Sequence, residues 1–193
     1  MPADELYLHN QTFNRNDAQK NPLPIGEYEN CTFNNADFAG GDLSGYKFIT
    51  CTFNACNLSL TKMDKTVLHQ ATFKDCKMLG LRFDTCSEFG LSFSFQGCQL
   101  NHSSFYKLKM AKTNFKDCAL QAIDFAECDL TGSVFDNCDL FQANFDRSIL
   151  KKADFRDAFN YCIDPEKNQI KKAKFSLAGI VGLLEKYDII IDK

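Results

Sequence analysis

Ten cysteines and three histidines carry most of the chemical capacity of this 193-residue sequence. The cysteines are Cys31, Cys51, Cys56, Cys76, Cys86, Cys98, Cys118, Cys128, Cys138 and Cys162, and the histidines are His9, His69 and His102. Thiols in such number serve as disulfides, as metal ligands or as nucleophiles. Disulfide scaffolds are short, secreted and loop-rich. The start Met1-Pro2-Ala3-Asp4-Glu5 has no basic region followed by an apolar run, as a secretory leader would. No apolar stretch reaches the ~20 residues of a membrane span. The expectation is a cytoplasmic chain with reduced thiols and no membrane contact. Metal pairs spaced C-x2-C are absent, so no metal or other cofactor is expected. A catalytic nucleophile needs a base within hydrogen-bond reach, and the histidines are scattered. No glycine-rich phosphate loop occurs. The residues point away from an enzyme, and cysteine, which packs as a small apolar side chain, is expected to fill a core.

The spacing of the apolar residues says which core. In residues 124–145, DFAECDLTGSVFDNCDLFQANF, Phe125, Leu130, Phe135, Leu140 and Phe145 stand five apart. Five steps fit neither the 3.6-residue period of a helix nor the two-residue period of a strand. The same beat runs from Tyr28 to Phe83 and from Phe95 to Phe155. Two residues before most centres stands a small side chain, such as Cys31, Ala36, Cys56, Cys98, Ser133 or Ala153, and one before is often Asp, Asn or Thr. Residues two apart share a face of an extended segment. Large and small members therefore both point inward if the chain turns a corner after every pentad.

Steps of twenty collect one residue type. Phe13, Phe33, Phe53, Phe73, Phe95, Phe115, Phe135, Phe155 and Phe175 form a single column once two extra residues are allowed between Phe83 and Phe95. Thr12, Thr32, Thr52 and Thr72 form another, and Asn14, Asn34 and Asn54 a third. Cys56, Cys76, Cys98, Cys118 and Cys138 line up likewise. Four sides per turn follow, since steps of fifteen would stack Phe on Met. The expected fold is an all-β solenoid, a right-handed quadrilateral parallel β-helix of roughly nine coils, with an axis of roughly 38 Å at ~4.8 Å per level. Three segments are expected: residues 1–27 as N-terminal coil and irregular cap, 28–155 as the repeat with a two-residue insertion within 84–94, and 156–193 as last coil, helix and strand. In the last segment Leu177, Ile180, Val181, Leu184 and Tyr187 fall at helical spacing after Ser176 as N-cap, and Ile189 to Ile191 read as a strand. The helix would hide the open edge of the last coil or join two copies.

The centres with their preceding residues, most clearly Ala36-Asp37-Phe38, Ala143-Asn144-Phe145 and Ala153-Asp154-Phe155, resemble the pentapeptide repeat family, whose consensus is Ala-Asp/Asn-Leu/Phe-x-x. The resemblance covers residues 28–155. The length, the stretch Ile163-Asp164-Pro165-Glu166-Lys167-Asn168 and the Leu183-Leu184 helix with its Ile-rich end are similar to the bacterial quinolone-resistance (Qnr-type) and microcin-immunity branch. This resemblance implies a homodimeric rod that mimics DNA in width and charge. Such a rod binds DNA gyrase or topoisomerase IV and protects it from fluoroquinolones or peptide toxins. Many members of the branch use long projecting loops. Here only the insertion, with Ser87, Glu88 and Phe89, and the irregular coil near residues 16–24 are available.

Charge bears on that implication. Duplex DNA over ~38 Å carries about 22 negative charges, against a formal −3 here. Residues 117–146 are denser, with Asp117, Asp124, Glu127, Asp129, Asp136, Asp139 and Asp146 and no Lys or Arg. These acids are the expected partner-binding surface, spread over all four sides. The low net charge argues against nucleic acid as a partner. An interaction scaffold for a different protein is the alternative.

Overall fold

The computed structural model describes residues 6–14 and 23–192. Most of the stretch expected to form an irregular N-terminal coil lies outside them. The chain winds as a four-sided parallel β-solenoid. Strands β1 (Leu6–His9), β3 (Gly26–Glu29), β5 (Lys47–Ile49) and β7 (Val67–His69) stack as one parallel sheet. Strands β2 (Thr12–Asn14), β4 (Thr32–Asn34), β6 (Thr52–Asn54), β8 (Ala71–Lys74), β9 (Phe93–Gln96), β10 (Asn114–Lys116) and β11 (Val134–Asp136) stack as another. The remaining two sides are so short that they pair through single bridges, such as Lys77↔Gln99 and Ser104↔Asp124. The seven-stranded sheet is continued by the bridges Val134↔Asp154 and Asp154↔Lys174.

For reference, side 1 carries the Phe13-to-Phe175 column. Side 2 carries Leu58, Leu120 and Leu140, side 3 Phe83, Phe105 and Phe125, and side 4 Phe48, Leu68 and Leu130. Register on side 1 is twenty residues, with Phe33 opposite Phe53 and Phe115 opposite Phe135. It changes to twenty-two only at Phe73↔Phe95, where the insertion lies.

Most corners are made by one left-handed residue. Asn35, Ala55, Leu60, Lys107 and Lys112 have φ between 50° and 64°. For a residue with a Cβ this region costs roughly 1–2 kcal/mol. The compensation is systematic, because the corner N–H donates to the coil above: Asn35 to Asn54 O at 2.8 Å, Leu60 to Leu79 O at 3.0 Å, Lys112 to Thr131 O at 2.9 Å. The Asp or Asn before each centre also serves the corner. Asp42 accepts the Ser44 N–H at 2.9 Å, Asp124 that of Ala126 at 3.0 Å and Asp129 that of Thr131 at 2.9 Å. This is the Asx-turn use of a short carboxylate.

The core is a double aromatic stack. Consecutive rings of the side 1 column lie near parallel, for example Phe33–Phe53 at 4.8 Å and Phe135–Phe155 at 4.7 Å. Phe83, Phe105 and Phe125 stack on side 3 and meet side 1 edge-on, with Phe105 and Phe115 at 89°. Aromatic pairs favour both arrangements. The end members Phe13 and Phe175 are only partly buried.

The small inward position has a second requirement beyond size. The thiols of Cys56, Cys76 and Cys98 donate to Phe33 O, Phe53 O and Phe73 O at 3.3–3.4 Å. Hydroxyls do the same elsewhere: Thr66 to Leu43 O and Ser148 to Phe125 O, both at 2.7 Å. Cysteine is thus a filler that also donates. The asparagine ladder forms, Asn54 Nδ2 donating to Asn34 Oδ1 at 2.9 Å.

The C-terminal segment departs from expectation. In place of an α-helix there are two 3-10 turns, Ala178–Leu183 and Glu185–Tyr187. Ser176 still accepts the Gly179 N–H at 3.0 Å, but Leu177 occupies the cap position. The cause is close approach to the last coil: a Cβ on Gly179 would stand 2.1 Å from the Tyr161 hydroxyl, and one on Gly182 2.1 Å from Tyr161 O. Ile163 N donates to Gly182 O at 2.9 Å, fixing the turn on the coil end. The expected strand at Ile189 to Ile191 does not form. A left-handed turn at Asp188 carries the chain off the coil, and Ile190 is 93% exposed.

Candidate partner-binding surfaces

The thiols come first, because their chemistry would decide the class of function. All ten cysteines are free, nine are buried and only Cys162 is exposed. Burial pushes the Cys51, Cys86 and Cys128 thiols up to about 12, far from the thiolate that reacts or binds metal. Among the described residues no group of three or more His, Cys, Asp or Glu is arranged to hold a metal ion. No helix among them is long and apolar enough to cross a membrane.

The seven acids of residues 117–146 divide between two corners. Asp124, Glu127, Asp129 and Asp146 lie around the corner between sides 3 and 4. There Glu127 meets Arg147 at 3.0 Å and Lys107 at 3.6 Å, and Asp146 meets Arg147 at 3.2 Å and Lys167 at 3.7 Å. The segment is free of bases along the chain but not in space, because residues twenty apart become neighbours. Asp124 and Asp129 are turned into corner N–H groups and Asp124 also accepts Asn144 Nδ2 at 3.0 Å.

Asp117, Asp136 and Asp139 lie around the corner between sides 1 and 2, where compensation is weaker. Lys116 lies 4.0 Å from Asp136, Arg156 on the next level is taken up by Asp154 at 2.8 Å, and Asp117 accepts Asn137 Nδ2 at 2.8 Å. Against the burial that pushes it up, hydrogen bonds from Gln121, Asn160 and the Phe141 N–H hold the Asp139 carboxyl below its ordinary value. Asp139 therefore stays charged. Among the described residues neither Asp117 nor Asp139 has an ion pair.

The insertion forms a small, well-anchored loop. Phe83–Thr85 makes a 3-10 turn, Ser87 N donates to Thr66 O and Ser92 N to Leu68 O, each at 2.9 Å. His69 Nδ1 lies 2.8 Å from Gly90 O, and Gln70 N donates to Ser92 Oγ at 2.8 Å. Ser87 and Glu88 begin the projection and Phe89 stands at its tip, 88% exposed.

The C-terminal end presents an apolar surface. Phe141, Phe159, Val181, Leu184, Ile189 and Ile191 are among the residues lining a groove of about 680 Å³. Of the five side chains expected to pack there, Leu177, Ile180, Val181 and Tyr187 are largely exposed and Leu184 is half-buried. The side chain that packs on the core instead is Leu183. Lys186 bridges Asp164 at 2.7 Å and Glu166 at 2.8 Å and ties the second turn to the last coil.

Comparison with known proteins agrees with this architecture. Residues 91–158 match a family model described as a pentapeptide repeat region. Among solved structures, full-length QnrB1, described as a plasmid-mediated fluoroquinolone resistance protein, superposes with a TM-score of 0.57 at 19% identity, over 96% of this chain and 98% of that one. HetL, a pentapeptide repeat protein involved in heterocyst differentiation regulation from the cyanobacterium Nostoc, superposes with a TM-score of 0.48 at 16% identity, over 88% and 85%. No curated protein matches the chain.

Proposed function

We propose that this chain, whose residues 91–158 are a pentapeptide repeat region, is a non-enzymatic protein that binds a type II topoisomerase, DNA gyrase or topoisomerase IV, and modulates it or shields it from fluoroquinolones or peptide toxins. The observation that carries the reading is the end-to-end superposition on QnrB1, a protein of fluoroquinolone resistance. The corner with Asp117, Asp136 and Asp139 supports it as the part of the rod that presents charge as DNA does. The anchored loop with Phe89 gives a second contact point. The apolar end at Val181, Ile189 and Ile191 is proposed to join two copies into a longer rod.

A supercoiling assay of gyrase titrated with the pure protein, with and without ciprofloxacin, tests the reading. Relief of drug inhibition, or inhibition by the protein alone that weakens steeply with salt, is the expected result. No effect under either condition overturns it and leaves the scaffold alternative. Light scattering of the full chain against a chain ending at Phe175 tests the dimer: the full chain should scatter as two copies and the shortened chain as one.

A further inference from the structure

The last two levels carry a concentration of positive charge that nothing in the fold uses. The bridges Ile149↔Gln169 and Asp154↔Lys174 set the register there. They place Lys151 and Lys152 directly beside Lys171 and Lys172 at the corner between sides 4 and 1, and Lys152 N donates to Lys171 O at 3.1 Å. All four lysines are exposed, and among the described residues none has an ion pair or hydrogen bond through its side chain. The acid next to them, Asp154, already holds Arg156 at 2.8 Å and Lys174 at 3.2 Å. The adjoining positions Ile149, Gln169, Thr131 and Gly132 are neutral.

Elsewhere the coil sets cations against acids one level away, as in Lys47–Glu27, Lys107–Glu127 and Lys116–Asp136. At this corner like charges are stacked at the ~4.8 Å level spacing, well inside the ~8–10 Å screening length of ordinary salt. In a chain of formal charge −3 this is a local reversal of sign, and repulsion among the ammonium groups is relieved when an anion sits across them.

We propose that this lysine corner docks an acidic segment of a partner protein. The patch is two levels high, matching a few carboxylates and not the length of a phosphate backbone. The aromatic side chains that flank it along the chain, Phe155 and Phe175, pack on the core and are not presented to stack a base, as single-strand binders require. Across side 1, Asp136 and Asp157 at the next corner are balanced by Lys116 and Arg156, so that corner adds no net positive charge for a wide polyanion such as duplex DNA. Lysine ammonium groups on flexible stems pair with carboxylates without demanding one geometry. The proposal uses a different surface from the topoisomerase reading and stands independently of it.

The test is fluorescence anisotropy with a labelled octa-glutamate peptide and, in parallel, a labelled DNA duplex. Four proteins are compared: the wild type, K151E/K152E/K171E/K172E, the milder pair Lys171→Gln with Lys172→Gln, and the control pair Lys62→Glu with Lys77→Glu on other sides. The expected result is peptide binding by the wild type that weakens with salt, is lost in the fourfold variant, is reduced in the milder pair and persists in the control. The milder pair decides the outcome if the fourfold variant fails to fold. The proposal is overturned by no peptide binding to the wild type, by undiminished binding in the lysine variants, by equal loss in the control, or by tighter binding of the duplex than of the peptide.

Discussion

The rings of Phe115 and Phe135, twenty residues apart in sequence, lie 5.1 Å apart and 4° from parallel. That contact is the unit of the fold, repeated up side 1, and each ring also meets a side 3 ring edge-on. Phe115→Ala removes a fully buried ring from both stacks at once. Such truncations cost about 3–5 kcal/mol, so a marked fall in melting temperature is expected. Lys116→Ala, one residue on, loses only an exposed contact to Asp136 at 4.0 Å, and exposed ion pairs contribute about 0–1 kcal/mol. Thermal unfolding of the two variants should differ clearly; equal shifts would contradict the inward and outward assignment.

The thiols offer a direct count of which positions face the core. Nine cysteines are buried and Cys162 is exposed. Burial and Glu185 push the Cys162 thiol up to about 11, so exposure alone sets it apart, and at mildly alkaline pH a thiol reagent applied to the folded protein should label one cysteine per chain well ahead of the rest. All ten should react once the protein is unfolded in guanidinium chloride. The fast site should disappear in Cys162→Ser. Rapid labelling of several sites in the native protein would mean that the coil opens far more readily than its packing implies.

Much of this architecture was legible from residue types because the fold stacks identical positions. Phe33 over Phe53, Asn34 over Asn54 and Cys56 over Cys76 write the twenty-residue turn directly into the sequence, and the two-residue slip at Phe95 is legible for the same reason. What stayed hidden are features that depend on a neighbour one coil away. The left-handed corners fall on Ala55, Leu60 and Lys107, residue types with no preference for that conformation, and are held by N–H donation to the next level. Residues 117–146 read as lacking bases, yet Lys107, Arg147 and Lys167 reach Glu127 and Asp146 from adjacent levels. At the C-terminus a helical spacing of apolar residues was outweighed by Gly179 and Gly182, whose bare Cα atoms let the chain press against Tyr161.

That last contact can be tested by one methyl group. In Gly182→Ala the added Cβ would fall 2.1 Å from the Tyr161 carbonyl oxygen, a backbone atom that cannot swing aside. The turn must lift, breaking the hydrogen bond from Ile163 N to Gly182 O. Limited proteolysis should then cut near residues 176–188 much faster than in the wild type, while circular dichroism of the coil stays unchanged. A resistant C-terminus in the variant would place the cap elsewhere.

The Asp154 carboxyl sets a pH dependence at the same end of the rod. Hydrogen bonds from Arg156 first, and from Lys174, outweigh the opposing effect of burial and hold it down to about 2, below its ordinary 3.8. A group whose folded value is depressed adds stability above its unfolded value and loses it as pH falls through the folded one. The contribution of Asp154 is therefore complete above about pH 5 and fades between about pH 4 and 2. Because Arg156 and Lys174 are more than half exposed, the size of the contribution is modest. Asp154→Asn should be less stable than the wild type at pH 7, and the gap should close as the pH is lowered through that window. Denaturant unfolding of both proteins at pH 7, 4 and 2 measures it, and a gap that stays constant across the series would remove the ion pairs with Arg156 and Lys174 as its cause.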